Sequence, residues 1–145
     1  MPDSAVGDKF ADVRACGADR RGPRHPERDT MRYQGSCHCG RIAFEVEGEL
    51  AQVMDCNCSI CTRMGSLHWF VPRDRLRLST PEDHLATYAF GKQRIQHRFC
   101  PVCGIHPYGE GVDPAGNRMA AVNARCLEGV DLQSLDVRPV DGRSF

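Results

Sequence analysis

In this chain of 145 residues, 19 Lys and Arg balance 19 Asp and Glu, which leaves no net field to hold a polyanion and argues against a nucleic acid partner. The length allows one ordinary domain, and no run approaches the roughly 18 apolar residues that would cross a membrane. Nine cysteines need explaining: with no export signal legible, a cytoplasmic location is expected, where thiols stay reduced and metal binding explains them better than disulfides.

Residues 1–30 are rich in Asp, Arg, Pro and Gly, with scattered apolar residues such as Val6, Phe10 and Val13 and no period. They are expected to be a disordered extension, with Met31 the natural start of a folded domain over residues 31–145. A real but flexible extension is the other reading. From Arg41 to Glu47, Ile42, Phe44 and Val46 alternate with charged residues, the pattern of a half-buried strand. A turn or two of helix is expected after Cys58. Further short strands are expected at His68–Val71, Arg75–Leu78, Leu85–Phe90, Ile95–Phe99 and Arg118–Val122, separated by Gly, Pro or Asp turns. A short helical piece is expected around Leu132–Leu135, capped by Asp131. The sum is a mainly β, mainly antiparallel single domain with a modest core, to which metal crosslinks would add stability.

Cys37-His38-Cys39-Gly40 and Cys100-Pro101-Val102-Cys103-Gly104 each bring two sulfurs together ahead of a glycine, which permits the left-handed turn that points backbone amides at sulfur. Four such thiolates satisfy a tetrahedral zinc completely and mark a structural site; buried free cysteines are the plain alternative. With the knuckles about sixty residues apart, a metal there would close a long loop and remove much entropy from the unfolded chain.

Cys56-Asn57-Cys58-Ser59-Ile60-Cys61 offers three thiols in six residues. Tetrahedral zinc on three protein ligands keeps a fourth position for water or substrate, the catalytic arrangement, and a substrate thiol is its natural occupant. Two plainer readings stand beside it: the triplet is a redox switch, or His38, His97 or His106 closes the site as fourth ligand. His97 and His106 are also candidates for contacts behind the ligands or with substrate. The lone Cys126 reads as core, and Cys16 is given no role. Arg63, Arg73 and Arg94 could meet an anionic ligand, with solvated surface positions as the default. Trp69 and Phe70 either line the pocket or fill the core, with core the default.

Taken in order, Gly35-Ser36-Cys37-His38-Cys39-Gly40, Cys56-Asn57-Cys58-Ser59-Ile60-Cys61 and Phe99-Cys100-Pro101-Val102-Cys103-Gly104 resemble the glutathione-dependent formaldehyde-activating enzyme family, which also includes centromere protein V. The likeness runs from Met31 to Gly142. It implies an antiparallel β-tent zinc-binding fold similar to methionine sulfoxide reductase B, and two zincs per chain. One would be a structural zinc on Cys37, Cys39, Cys100 and Cys103; the other, catalytic, would sit on Cys56, Cys58 and Cys61. It further implies a carbon–sulfur lyase forming S-(hydroxymethyl)glutathione from glutathione and formaldehyde, or acting on a related thiol and aldehyde. Thr62 stands where relatives often carry a basic residue, with Arg63 next. The alternative is a non-catalytic two-zinc binding or interaction module in which both metals are structural.

Overall fold

The computed structural model describes residues 31–144, so the expectations for residues 1–30, Cys16 included, lie outside the described residues. In chain order come β1 (Met31–Ser36), β2 (Ala43–Gly48), β3 (Gln52–Cys56), α1 (Ser59–Met64), β4 (His68–Pro72) and β5 (Leu76–Leu78). There follow β6 (Ala86–Tyr88), β7 (Gln96–Phe99), β8 (Tyr108–Val112), β9 (Arg118–Asn123) and β10 (Asp136–Val140). Strands β1, β2 and β5 make one sheet, and the remaining seven make a second in the order β10-β3-β4-β9-β8-β7-β6. The protein is a mainly β single domain, as its sequence predicts. Among the described residues no helix is long and apolar enough to cross a membrane.

The alternation in β2 sets the first sheet. Phe44 and Val46 are fully buried, while Glu45 and Glu47 turn outward to Arg32 on β1 at 3.0 and 2.8 Å. Such exposed pairs contribute little energy; the buried face fixes the register. Directly across from Phe44 lies Gly35, where a Cβ would overlap Cζ of the ring and stand 2.7 Å from its Cε2. Gly35→Ala should therefore destabilise the domain by about 1–3 kcal/mol through overpacking. Urea denaturation checks this, and an unchanged midpoint would mean the ring has room to move.

The second sheet is buried on both faces at its centre. On one face Trp69, Val71, Ala120, Val122 and Tyr108 join Phe44 and Val46 in the main core, and Trp69 meets Tyr33 edge to face at 5.5 Å. Across the sheet, the other face carries Phe70, Ala121, Gly109 and His97 as register partners on β4, β9, β8 and β7. Bulky residues end that row and small ones occupy its middle, so the sheet surface has a hollow.

One pairing departs from the antiparallel expectation: β10 lies parallel to β3, Val140 opposite Cys56. Its residues are mostly exposed and it carries Pro139, as edge strands do, so no apolar alternation marked it. The piece at Leu132 is a single 3-10 turn, Leu132–Ser134, capped as expected by the Asp131 carboxylate, which accepts from the Gln133 amide at 3.1 Å.

Candidate metal centres and the cavity beside them

The two knuckles meet where the first sheet faces the second. Cys37 and Cys39 sit in the β1–β2 turn, Cys100 and Cys103 just after β7, and the four sulfurs lie within 4.8 Å of one another. Gly40 and Gly104 take φ of 83° and 80°, the conformation their positions predict. Amides then point at sulfur: Ile42 N donates to Cys37 Sγ at 3.3 Å and Cys103 N to Cys100 Sγ at 3.5 Å. Burial opposes ionisation of Cys103, but donation from the amides of Cys39 and Ile105 outweighs it and lowers the thiol to about 6. Sulfurs of Cys37 and Cys39 stand 3.7 Å apart, those of Cys39 and Cys100 3.6 Å. A zinc tetrahedron with bonds of about 2.3 Å has edges of about 3.8 Å, which these two distances match, so the tetrad could hold such an ion.

The triplet gathers at the end of β3 and the start of α1. Its three sulfurs also fall within 4.8 Å of one another and could hold a metal ion. They are buried, not exposed, at 5%, 4% and 3% for Cys56, Cys58 and Cys61. Cys58 N donates to Cys56 Sγ at 3.5 Å. Helix α1 then runs only six residues before Gly65, left-handed at φ 68°, closes it with a bond to the Cys61 carbonyl. The triplet forms its own small apolar cluster with Ile60, Met64 and Val140, separate from the main core that contains Cys37 and Cys100.

A histidine outside those flagged in the sequence meets the triplet: the Nε2 of His68 stands 3.2 Å from Cys61 Sγ. His68 lies outside the group of mutually close ligand atoms, which holds the three cysteines alone. Beyond it the hollow of the second sheet becomes a chamber of about 30 Å³, lined by Cys61, Ser66, His68, Phe70, Gly109, Asn123 and both His97 and His106. Met64, Ser66, His106 and Asn123 also line an adjacent open cleft of about 550 Å³, walled further by Ile60, Arg63, Tyr88, Phe99, Gly104 and Ile105. Asn123 shapes the junction: it is buried, and its Nδ2 donates to the His106 carbonyl at 3.1 Å. The second knuckle thus forms part of the cleft wall.

The remaining sequence candidates separate clearly. His97 is buried in the chamber wall and His106 half-buried where chamber and cleft join, while His38 is exposed on the first knuckle. Arg63 reaches the cleft, its Nη1 donating to the Ser59 carbonyl at 2.8 Å. Arg73 is neither solvated nor available to an anion: it pairs with Glu110 at 2.6 Å, both largely buried, over the Tyr108 ring. Arg94 is exposed. Trp69 is core as expected, whereas Phe70 lines the chamber. Burial pushes the Cys126 thiol up to about 11, which keeps it protonated and unreactive, in keeping with a packing role. Sequence reasoning missed His68, Ser66, Gly109 and Asn123. One signal was available: in a strand from His68 to Val71, His68 and Phe70 must share the face opposite Trp69.

A family model described as glutathione-dependent formaldehyde-activating enzyme matches residues 32–139. Among solved structures, the crystal structure of a Rhodobacter sphaeroides protein is 33% identical, with a TM-score of 0.62, covering 75% of this chain and 98% of its own.

Proposed function

The chain belongs to the glutathione-dependent formaldehyde-activating enzyme family, and on that premise we propose that it is a zinc-dependent carbon–sulfur lyase joining glutathione, or a related thiol, to formaldehyde or another small aldehyde. One observation carries this reading: three buried cysteine sulfurs meet, at Cys61, a small chamber that adjoins an open cleft. Cys37, Cys39, Cys100 and Cys103 hold a structural zinc in this account, and Cys56, Cys58 and Cys61 a catalytic one. Bound on the triplet, zinc supplies a fourth position and the acidity that keeps a substrate thiol as thiolate.

The cleft has the volume of an ordinary small-molecule site and suits the peptide part of the thiol, with Arg63 placed for a carboxylate. The chamber has room for about two water-sized groups, which fits a one-carbon aldehyde and excludes a long one. In the reaction the thiolate sulfur attacks the carbonyl carbon. A carbon–sulfur bond forms, the C=O π pair moves to oxygen, and that oxygen takes a proton to give the S-hydroxymethyl product. His106 lines both the chamber and the cleft, and burial lowers its pKa and so favours the neutral ring. A cytoplasmic location agrees with the reduced cysteines this chemistry needs.

The direct test follows exchange of ¹³C-formaldehyde with glutathione by NMR, since the uncatalysed reaction is itself measurable. The protein should raise the exchange rate and Cys58→Ser should not. A protein that binds both metals and leaves the rate unchanged would support the interaction-module reading instead.

The hollow offers a second test. A Cβ on Gly109 would reach Gln96 O at 3.4 Å and His97 Nδ1 at 3.8 Å, so Gly109→Val fills the chamber while suiting a strand. Turnover should fall at least about tenfold with metal content unchanged, because a filled chamber blocks the near-attack geometry. Full activity in this variant would move the aldehyde site elsewhere.

A further inference from the structure

Beyond residue 139, outside the stretch matched by the family model, the chain turns back over the cysteine triplet. Val140 ends β10 opposite Cys56 and accepts from the Asn57 amide at 3.0 Å. Asn57, between the first two cysteines of the triplet, gives its other polar groups to the same segment. Its Nδ2 donates to Asp141 Oδ1 at 2.9 Å, its Oδ1 accepts from Arg143 N at 3.1 Å, and its carbonyl accepts from Arg143 Nε at 2.8 Å. Ser144 Oγ closes the turn onto Asp141 Oδ2. Inside this loop sits Gly142, buried, where a Cβ would stand 2.5 Å from Cys56 Sγ and 2.9 Å from Cys58 Cβ.

We propose that residues 141–144 are a positioning strap for the triplet, acting through Asn57 and Gly142 to hold Cys56 and Cys58 and to shield their sulfurs. The open side is thereby left at Cys61, which lines the chamber. A tail merely anchored to the domain would spread its bonds over several partners. Here they converge on the one residue between two ligands, and the glycine rests on a ligand sulfur. The inference rests on the reading of the triplet as a metal site, and its test keeps the two apart.

Zinc release from the full chain to a chromogenic chelator gives one rate for each site, and cobalt substitution gives a thiolate charge-transfer spectrum. In wild type, two metals should leave at separate rates. Gly142→Ala and Asn57→Ala should each speed release from one site by about ten- to a hundredfold, the usual effect of losing groups that orient ligands. The cobalt spectrum should shift with it, while the other site's rate and the melting temperature stay close to wild type. Asn57→Asp, which keeps the Oδ1 acceptor for Arg143 N but sets a carboxylate against Asp141, should not recover the loss. Wild-type rates and spectra in Gly142→Ala and Asn57→Ala overturn the strap. So does equal loosening of both sites in step with melting, which would mark a general structural tie. A wild-type chain that binds one metal fails earlier, sinking the triplet's metal reading and the strap with it.

Discussion

Cys100→Ser is expected to unfold the protein, whereas Cys58→Ser should lose one metal and keep both sheets. The difference follows from where the sulfurs sit. Cys100 is fully buried in the main core and, with Cys37, Cys39 and Cys103, ties the β1–β2 turn to the turn after β7. Structural zinc of this kind contributes about 10–16 kcal/mol of binding free energy to the folded state, against a total stability of about 5–15 kcal/mol for a domain. Its loss cannot be absorbed. Cys58 belongs to a separate cluster at the end of β3, and the backbone pairings of β3 with β10 and β4 do not depend on its sulfur. Far-UV circular dichroism and metal content of the two variants decide the matter. Equal collapse of both would mean that the triplet is as structural as the tetrad.

Both cysteine clusters were legible because metal ligation imposes spacing on the chain itself. The two knuckles and their glycines could be read as turns from four or five residues each. The cavity was not legible, and the reason is physical. Its floor is defined by what β4, β9, β8 and β7 set side by side, Phe70, Ala121, Gly109 and His97, which no local pattern joins. Moreover Gly109 and Gly111 make β8 read as a turn, although Gly109 is what leaves the hollow open. Gly35 concealed β1 in the same way while making space for Phe44. Glycine in a strand weakens the strand signal wherever another group needs the room. His68 escaped notice for a related reason: as the first residue of an alternating strand it looked like its polar edge.

The tetrad and the cavity are linked through one short segment. Gly104, Ile105 and His106 follow the second knuckle, and all three wall the cleft. The segment is pinned at both ends: Cys100 N donates to the Ile105 carbonyl at 2.9 Å, and Asn123 Nδ2 donates to the His106 carbonyl from the sheet side. On the proposed reading, a metal at the knuckle would hold the wall against which the thiol lies. Loss of that metal should remove ligand binding even in a fragment of the population that stays folded.

Glutathione should bind with release of close to one proton near neutral pH, and the deficit of S-methylglutathione should grow with pH to about a hundredfold above the free thiol's pKa. A free thiol ionises near 8.5, and beside a metal its pKa falls into a range of about 3.5–7.5. Taking a fall of about two units, the coupling between ionisation and binding is about 2.7 kcal/mol, which is that hundredfold. The sign follows directly. The bound thiol's pKa is depressed, so affinity rises with pH between the bound and free values, flattens above the free value, and is lost as pH falls through the bound one. S-methylglutathione has the same peptide and no proton to give, so its binding should be flat over this window. Calorimetric titration of both ligands in buffers of different ionisation enthalpy measures the proton count, with Cys58→Ser as the control that should abolish it. Equal affinity for the two ligands, or heat independent of the buffer, would show that the triplet does not hold the thiol, and the cleft would then be a binding surface without this chemistry.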